Sequence, residues 1–355
     1  MIREIDENFM KIALQLAKKR KGYTHPNPTV GAVVVKHGRI LGIGYHEKAG
    51  SPHAEVMALS QAGGNVSGST LYVTLEPCTH YGRTPPCTDL IIEKKVARVV
   101  IATLDPNPFV AGKGVEKLRK HGISVDVGVM EKEAKELNED FFTYITKRRP
   151  YITLKWAQTI DGKLATSDGS SKWLTSFESR ELAHTFRREA TAVLVGIKTV
   201  LSDNPQLTVR YVPTEKQPIR IVIDPKLEIP TDAKIVVDKS AETWIITLME
   251  GKKKELLEKL GVRVFTLKDL KLPNLMKFLF QKEIMHLMVE GGAYTLSQFI
   301  KEKLYDRVCV FVAPKLMGDG KSFENFGVKR AEELKAMKLV EVKKIGEDVL
   351  LVYKP

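Results

Sequence analysis

His53-Ala54-Glu55, followed by Glu76-Pro77-Cys78 and then Cys87, supplies one imidazole, two thiols and a carboxylate suited to metal chemistry. His53, Cys78 and Cys87 offer three of the four donors that a tetrahedral zinc ion takes. A site with three protein ligands keeps a fourth position for water or substrate, the arrangement of a catalytic zinc rather than a structural one. Zinc lowers the pKa of its water toward neutrality. Glu55, two residues after the histidine, is too close in the chain to be a comfortable fourth ligand. It is well placed to take a proton from that water and pass it to a leaving amine, the work of a general acid and base. The plain alternative is a surface histidine and two unpaired loop cysteines. It is disfavoured because the chain has three cysteines in all and two of them fall here.

His-x-Glu followed by Pro-Cys is the signature of zinc nucleobase deaminases, which usually place two residues between the cysteines. Here the interval is Thr79 to Pro86. Such spacing alone is a weak signal. With His-Ala-Glu upstream and Glu76-Pro77 directly before, it becomes specific.

A second chemical signal lies far along the chain. Val289-Glu290-Gly291-Gly292 and the segment from Thr295 to Ile300 read as a strand, a glycine turn and a helix start. Bare amides at such a helix start suit a dinucleotide phosphate. A tight turn is the commoner reason for paired glycines. The run is not G-x-G-x-x-G, so a Rossmann reading lacks support.

These residues need elements to hold them. The chain of 355 residues is too long for one ordinary core and predicts two domains, divided at Lys147-Arg148-Arg149-Pro150. In residues 1–147, apolar spacing predicts helices from Asp6 to Lys21, His53 to Gln61, Thr88 to Lys95, Gly114 to His121 and Glu131 to Tyr144. Strands are expected from Val30 to Val35, Ile40 to Tyr45, Ser69 to Leu75, Val99 to Thr103 and Ser124 to Val127. In residues 148–355, strands are expected near 151–157, 192–196, 219–223, 243–247, 263–266, 286–289 and 307–312. Helices are expected near 179–189, 252–260, 275–283 and 295–303. Alternating strands and helices make both halves α/β. The first helices place His53 and the cysteines at helix starts, where the dipoles favour thiolate.

Bulk properties narrow the partners. Three cysteines form no disulfide framework, which predicts a reducing compartment. The first ten residues carry acids where a signal peptide needs a basic and then an apolar run, and no apolar run is long enough to span a bilayer. The expectation is a cytoplasmic protein with no membrane partner. The net charge is +13, but residues 1–149 hold +6 of it and residues 150–355 hold +7, with both signs mixed throughout. That distribution suits a small phosphorylated ligand better than a nucleic acid.

The first half carries Asn27-Pro-Thr-Val-Gly-Ala-Val-Val-Val35, Gly44-Tyr-His46, His53-Ala-Glu-Val56 and Glu76-Pro-Cys-Thr-His-Tyr-Gly-Arg-Thr-Pro-Pro-Cys87. The second carries Leu154-Lys-Trp-Ala-Gln-Thr-Ile-Asp-Gly-Lys163, Trp173-Leu-Thr-Ser176, Asp203-Asn-Pro-Gln-Leu-Thr-Val-Arg210 and Glu290-Gly-Gly292. Together these runs resemble the bifunctional riboflavin-biosynthesis enzymes of the RibD family (RibG in some bacteria), over nearly the whole chain. The long interval between the cysteines is what this family shows.

The resemblance implies a cytidine-deaminase-like α/β/α sandwich followed by a dihydrofolate-reductase-like α/β domain. It implies hydrolytic deamination of 2,5-diamino-6-(5-phosphoribosylamino)pyrimidin-4-one, then NADPH-dependent reduction of the ribose to a ribityl chain. One zinc per chain would be held by His53, Cys78 and Cys87, with Glu55 catalytic. Asn27 and His46 would hold the pyrimidine edge, and His80 and Arg83 the ribose phosphate. NADPH would contact Ala157, Trp173, Thr199, Asp203 and the run Gly292, Ala293, Tyr294, Thr295, Leu296 and Ser297. Substrate would contact Lys155, Ser171, Arg187, Leu207, Arg210 and Glu290. A homo-oligomer is expected. His25 and His37 are expected to be ordinary surface residues.

Two other readings compete. A nucleic-acid base deaminase with a C-terminal binding module would share the zinc chemistry, but it predicts a concentrated basic face and stacking aromatics. The even charge and the 7% aromatic content disfavour it. A zinc-stabilised scaffold without catalysis is disfavoured by Glu55 beside an open metal position.

Overall fold

The computed structural model describes residues 2–81, 85–108, 110–334 and 336–355. The chain divides into two compact units, residues 1–148 and 149–355.

Unit 1 runs α1 (Ile2–Lys18), β1 (Gly31–Lys36), β2 (Arg39–Tyr45), α2 (Ala54–Ala62), β3 (Thr70–Val73), α3 (Cys87–Glu93), β4 (Arg98–Ile101), α4 (Lys113–Lys120), β5 (Ser124–Val127), α5 (Glu131–Leu137) and α6 (Glu139–Lys147). The sheet order is β2-β1-β3-β4-β5. β1 is antiparallel to β2 and β3, and β3, β4 and β5 are parallel. Glycines let helices lie on both faces. A Cβ on Gly31 would meet the Ala13 carbonyl of α1 at 2.0 Å, and one on Gly44 would meet the Ala54 carbonyl of α2 at 2.2 Å. Gly44 pairs with Ala32, the neighbour of Gly31, so the two helices cover opposite faces. The result is the expected α/β/α sandwich. On the α1 face, Met10, Ala13 and Leu14 pack on Val33, Val35, Tyr72 and Val100.

One expected helix, from Glu131 to Tyr144, is two. The break falls at Asn138, whose side chain accepts from the Thr29 N–H at 2.8 Å and donates to the Thr29 carbonyl at 2.9 Å. Both residues are buried, and that pairing pulls Asn138 out of helical geometry (φ −112°). His25 is also not an ordinary surface residue. Its Nε2 lies 3.1 Å from the Asp140 carboxylate, with both side chains 2% exposed.

Unit 2 runs β6 (Tyr151–Thr159), α7 (Phe177–Glu189), β7 (Ala192–Gly196), α8 (Ile197–Asp203), β8 (Ile219–Ile223), α9 (Lys234–Val237), β9 (Thr243–Thr247), α10 (Lys252–Lys259), β10 (Arg263–Thr266), α11 (Leu272–Gln281), β11 (His286–Val289), α12 (Ala293–Lys301), β12 (Arg307–Ala313), β13 (Lys338–Ile345) and β14 (Asp348–Lys354). Its sheet has the order β10-β9-β8-β7-β11-β6-β12-β14-β13. The strands from β10 through β12 are parallel, and the C-terminal hairpin β13–β14 adds antiparallel to β12. Two hydrophobic layers cover the faces, one including Leu154, Leu194, Leu287 and Phe299, the other including Val193, Val195, Val222 and Met288. This is the two-faced burial that parallel strands require.

The topology makes a crevice. From β7 the chain leads outward to β8, and from its neighbour β11 it leads the other way to β12. Diverging connections leave an opening at the C-terminal ends of such strands. No helix is long and apolar enough to cross a membrane among the described residues.

Candidate functional site

In unit 1, the sequence places a loop ligand and two helix-start residues at one point. His53 is the N-cap of α2, and Cys87 is the first residue of α3. Cys78 lies in the loop that follows β3. His53 Nδ1 is 3.2 Å from Cys87 Sγ and 3.6 Å from Cys78 Sγ, and the three donor atoms lie within 4.8 Å of one another. Tetrahedral zinc with ordinary bond lengths separates its ligands by about 3.5–3.8 Å, so donor types and spacing fit the ion. The Cys87 backbone N–H donates to Cys78 Sγ at 3.3 Å. The Cys87 thiol beside Cys78, with His53, holds the Cys78 thiol well below the usual thiol range. Glu55, in the first turn of α2, is 4% exposed, and burial pushes its carboxyl up to about 7.

His46 has both ring nitrogens engaged. Nδ1 is 3.2 Å from the Pro52 carbonyl, and Nε2 is 3.0 Å from Asn27 Nδ2. Burial lowers the His46 pKa, so the ring is neutral. Nδ1–H donates to Pro52, and Nε2 accepts from Asn27. His46 thereby fixes the Asn27 carboxamide. Its ring stands edge-on to His53 at 5.4 Å. His80 is exposed, and Arg83 lies outside the described residues.

Sequence reasoning assigned no role to Glu76. Its buried carboxylate accepts N–H groups from Gly114 at 2.8 Å, Gly112 at 2.9 Å, and Asp105 and Val115 at 3.3 Å. It ties the loop bearing Cys78 to the start of α4. Asp105 was also missed. Burial raises its pKa, and the Asn107 N–H, which donates to Asp105 Oδ1 at 2.7 Å, opposes that rise.

In unit 2, a cavity of about 1550 Å³ opens at the crevice. The glycine turn is there because the backbones touch. A Cβ on Gly291 would meet Val195 Cα at 2.4 Å, and Gly292 has φ +49° with Thr199 Oγ1 3.0 Å from where a Cβ would sit. α8 begins after Gly196 and α12 after Gly292, so two helix starts face the opening. The cavity is lined by Ala157, Trp173, Thr199, Asp203, Gly292, Ala293, Tyr294, Thr295 and Leu296, and by Lys155, Ser171, Arg187, Arg210 and Glu290. Ser297 and Leu207 do not line it. Both are buried, Leu207 in the core, while the Ser297 hydroxyl accepts from the Glu324 N–H at 3.1 Å.

A buried ion cluster forms its floor. Arg187 grips Glu290 through Nε at 2.5 Å and Nη2 at 2.9 Å, and Lys155 Nζ stands 3.9 Å from the same carboxylate. Burial alone would raise Glu290, but Arg187 and then Lys155 outweigh it and bring it to about 2. Burial lowers Lys155. Arg180 covers the exposed Trp173 ring at 4.1 Å.

Two family models divide the chain between them. "Cytidine and deoxycytidylate deaminase zinc-binding region" matches residues 3–103, and "RibD C-terminal domain" matches residues 150–351. The riboflavin biosynthesis protein RibD of Aquifex aeolicus is 64% identical over 354 residues, covering 100% of this chain and 99% of that protein. The chain belongs to the RibD family of riboflavin biosynthesis proteins. The RibD of Escherichia coli is 40% identical, with 98% of each chain covered. A Thermotoga maritima structure, described as a diaminohydroxyphosphoribosylaminopyrimidine deaminase/5-amino-6-(5-phosphoribosylamino)uracil reductase, matches with TM-score 0.91 at 42% identity over 100% of both chains. Acinetobacter baumannii RibD matches with TM-score 0.93 at 36% identity, again over 100% of both. A RibD chain with this domain pair is a bifunctional deaminase and reductase, and the nucleic-acid reading is not favoured.

Changing Cys78 and Cys87 together to Ser removes two of the three donors of the unit 1 cluster. Purified protein should then lose its zinc, as read by metal analysis. Zinc content unchanged from the parent would contradict the ligand assignment.

Proposed function

We propose that residues 1–147 deaminate 2,5-diamino-6-(5-phosphoribosylamino)pyrimidin-4-one and that residues 148–355 reduce the ribose of the resulting uracil to a ribityl chain. The observation that carries this reading is a pairing within one chain. A His53–Cys78–Cys87 cluster has Glu55 buried beside it, and a glycine-floored crevice holds a carboxylate between two cations.

His53, Cys78 and Cys87 would hold one zinc ion, which supplies Lewis acidity for activating water. Glu55 takes the proton from the attacking water and delivers it to the departing amine. Asn27, fixed by His46, presents its carboxamide to the pyrimidine edge. His80 and Arg83 hold the ribose phosphate. NADPH supplies a hydride to the second site. The helix starts after Gly196 and Gly292 offer backbone N–H groups to its phosphates, and Ala157, Trp173, Thr199, Asp203 and the residues Gly292 to Leu296 bind it. Lys155, Ser171, Arg187, Arg210 and Glu290 hold the sugar substrate, with Lys155 near the reacting sugar; Leu207, buried in the core, is not among them. The protein works in the cytoplasm as a homo-oligomer and acts on small phosphorylated pyrimidines, not on nucleic acid. The even spread of charge supports that last statement.

Removing zinc with a chelator should stop deamination while NADPH oxidation on 5-amino-6-(5-phosphoribosylamino)uracil continues. If chelation left deamination intact, or if the uracil compound drew no NADPH oxidation, the reading would fail.

Arg83 gives a sharper test of substrate class. An arginine fork matches a phosphate. Arg83→Ala should raise KM for the phosphorylated pyrimidine by about tenfold to a hundredfold, the worth of a charged hydrogen bond. The dephosphorylated nucleoside should lose little. Equal losses for both compounds would show that Arg83 does not read the phosphate.

A further inference from the structure

His184, in α7, belongs to no role assigned above, yet it stands in the wall of the unit 2 cavity. It is 4% exposed. Its Nδ1 accepts the Arg210 backbone N–H at 2.8 Å and the Tyr211 N–H at 3.3 Å. One ring nitrogen thus anchors two successive amides of a loop that has no helix or strand to hold it. The imidazole lies against the Tyr211 ring, with centroids 4.4 Å apart and planes 31° from parallel. Thr208, two residues before Arg210, is tied to the same helix, because Arg187 Nη1 donates to its carbonyl at 3.0 Å. From this anchored loop the exposed Arg210 side chain reaches the cavity, and its Nη1 donates to Thr208 Oγ1 at 2.8 Å.

An imidazole can accept at Nδ1 only while that nitrogen is unprotonated. The charged groups facing His184 keep it so. Arg187 Nη1 is 3.5 Å from Nε2, and Arg210 and Lys155 add positive charge nearby, with Glu290 alone opposing them. Burial, followed by those cations, lowers the His184 pKa to about 3. Nδ1 is therefore a standing acceptor at ordinary pH.

We propose that His184 is a positioning residue of the reductase site, whose Nδ1 fixes the backbone at Arg210 and Tyr211 and so aims the Arg210 side chain at the substrate. This rests on the reading that Arg210 contacts the substrate. Two amide replacements separate the functions of the ring. The Asn oxygen can stand where Nδ1 stands, whereas the Gln oxygen stands nearer the position of Nε2.

The experiment is steady-state reduction of 5-amino-6-(5-phosphoribosylamino)uracil at saturating NADPH by the full chain. His184→Gln should raise KM by roughly threefold to tenfold, the loss of about one hydrogen bond, with kcat changed less. His184→Asn should recover most of the parent KM. Combined with Arg210→Ala, His184→Gln should add nothing further, because the two act through one contact. If Arg210→Ala alone leaves KM unchanged, the reading of Arg210 fails and the inference with it. If Arg210→Ala raises KM while His184→Gln does not, or if the two losses add fully, the inference alone fails. Should the Gln variant not fold, Asn decides: a KM about tenfold above the parent overturns the proposal.

Discussion

Glu55→Gln should bind zinc as the parent does and deaminate about 10²–10⁴-fold more slowly, the range for removing a general acid and base. The carboxamide keeps the size of Glu55 in its buried place but cannot exchange a proton. The ligands His53, Cys78 and Cys87 are untouched, so metal content is the control. Reduction of the pre-deaminated substrate should proceed at the parent rate, because the second site lies wholly in unit 2. A near-parent deamination rate would remove Glu55 from the mechanism. Loss of zinc would make it a structural residue of the cluster.

Glu290→Ala should have the largest effect on unit 2. Glu290 is the carboxylate between Arg187 and Lys155, and its side chain is 8% exposed. Removing one partner of a buried ion pair leaves charge uncompensated and costs about 3–5 kcal/mol. Reductase activity should fall with it while deamination stays. Glu290→Gln separates the two effects in part, since its one amide oxygen can still accept from Arg187 while the charge is lost. The pH dependence has a definite sign. The folded pKa of about 2 lies below the ordinary glutamate value, so the ionised form stabilises the fold. That contribution is complete above about pH 4.3 and is lost as pH falls from there through the folded value. Denaturant titrations from pH 7 to about pH 2 should show the parent keeping its advantage over Glu290→Gln down to about pH 4.3 and losing it below. A constant difference would mean that the carboxylate is not held ionised by its neighbours.

The metal cluster was legible because chemistry restricts it to a few residue types. No structural role calls for a histidine, a glutamate two residues on, and Pro-Cys in the loop after a buried strand. The alternation of strands and helices was legible for the same kind of reason, since core strands such as Val33–Val35 and Leu287–Val289 are apolar without interruption. The C-terminal hairpin was not read. β13 is an edge strand whose Leu339, Val340 and Val342 are all exposed, so its burial does not alternate. Its partner β14 does alternate, and Gly346 between two β-rich runs was an available signal. α8 escaped because the apolar run of β7 continues into Ile197 and gives no sign of a change of period. The break at Asn138 depends on Thr29, which is 109 residues away in the chain. Glu76 is part of a recognisable motif, but its task depends on amides near Gly112 that only folding brings to it. The same holds for His184, whose partner Arg210 is 26 residues away.

The central claim is that one chain performs both reactions in order. Its direct test is incubation of the zinc-loaded full chain with 2,5-diamino-6-(5-phosphoribosylamino)pyrimidin-4-one, without and with NADPH, followed by mass analysis. Without NADPH the product should carry an oxygen in place of one NH group and stop there. With NADPH the same product should gain two hydrogens. A substrate that stays unchanged in both arms, or that gains hydrogens before it loses nitrogen, would contradict the account.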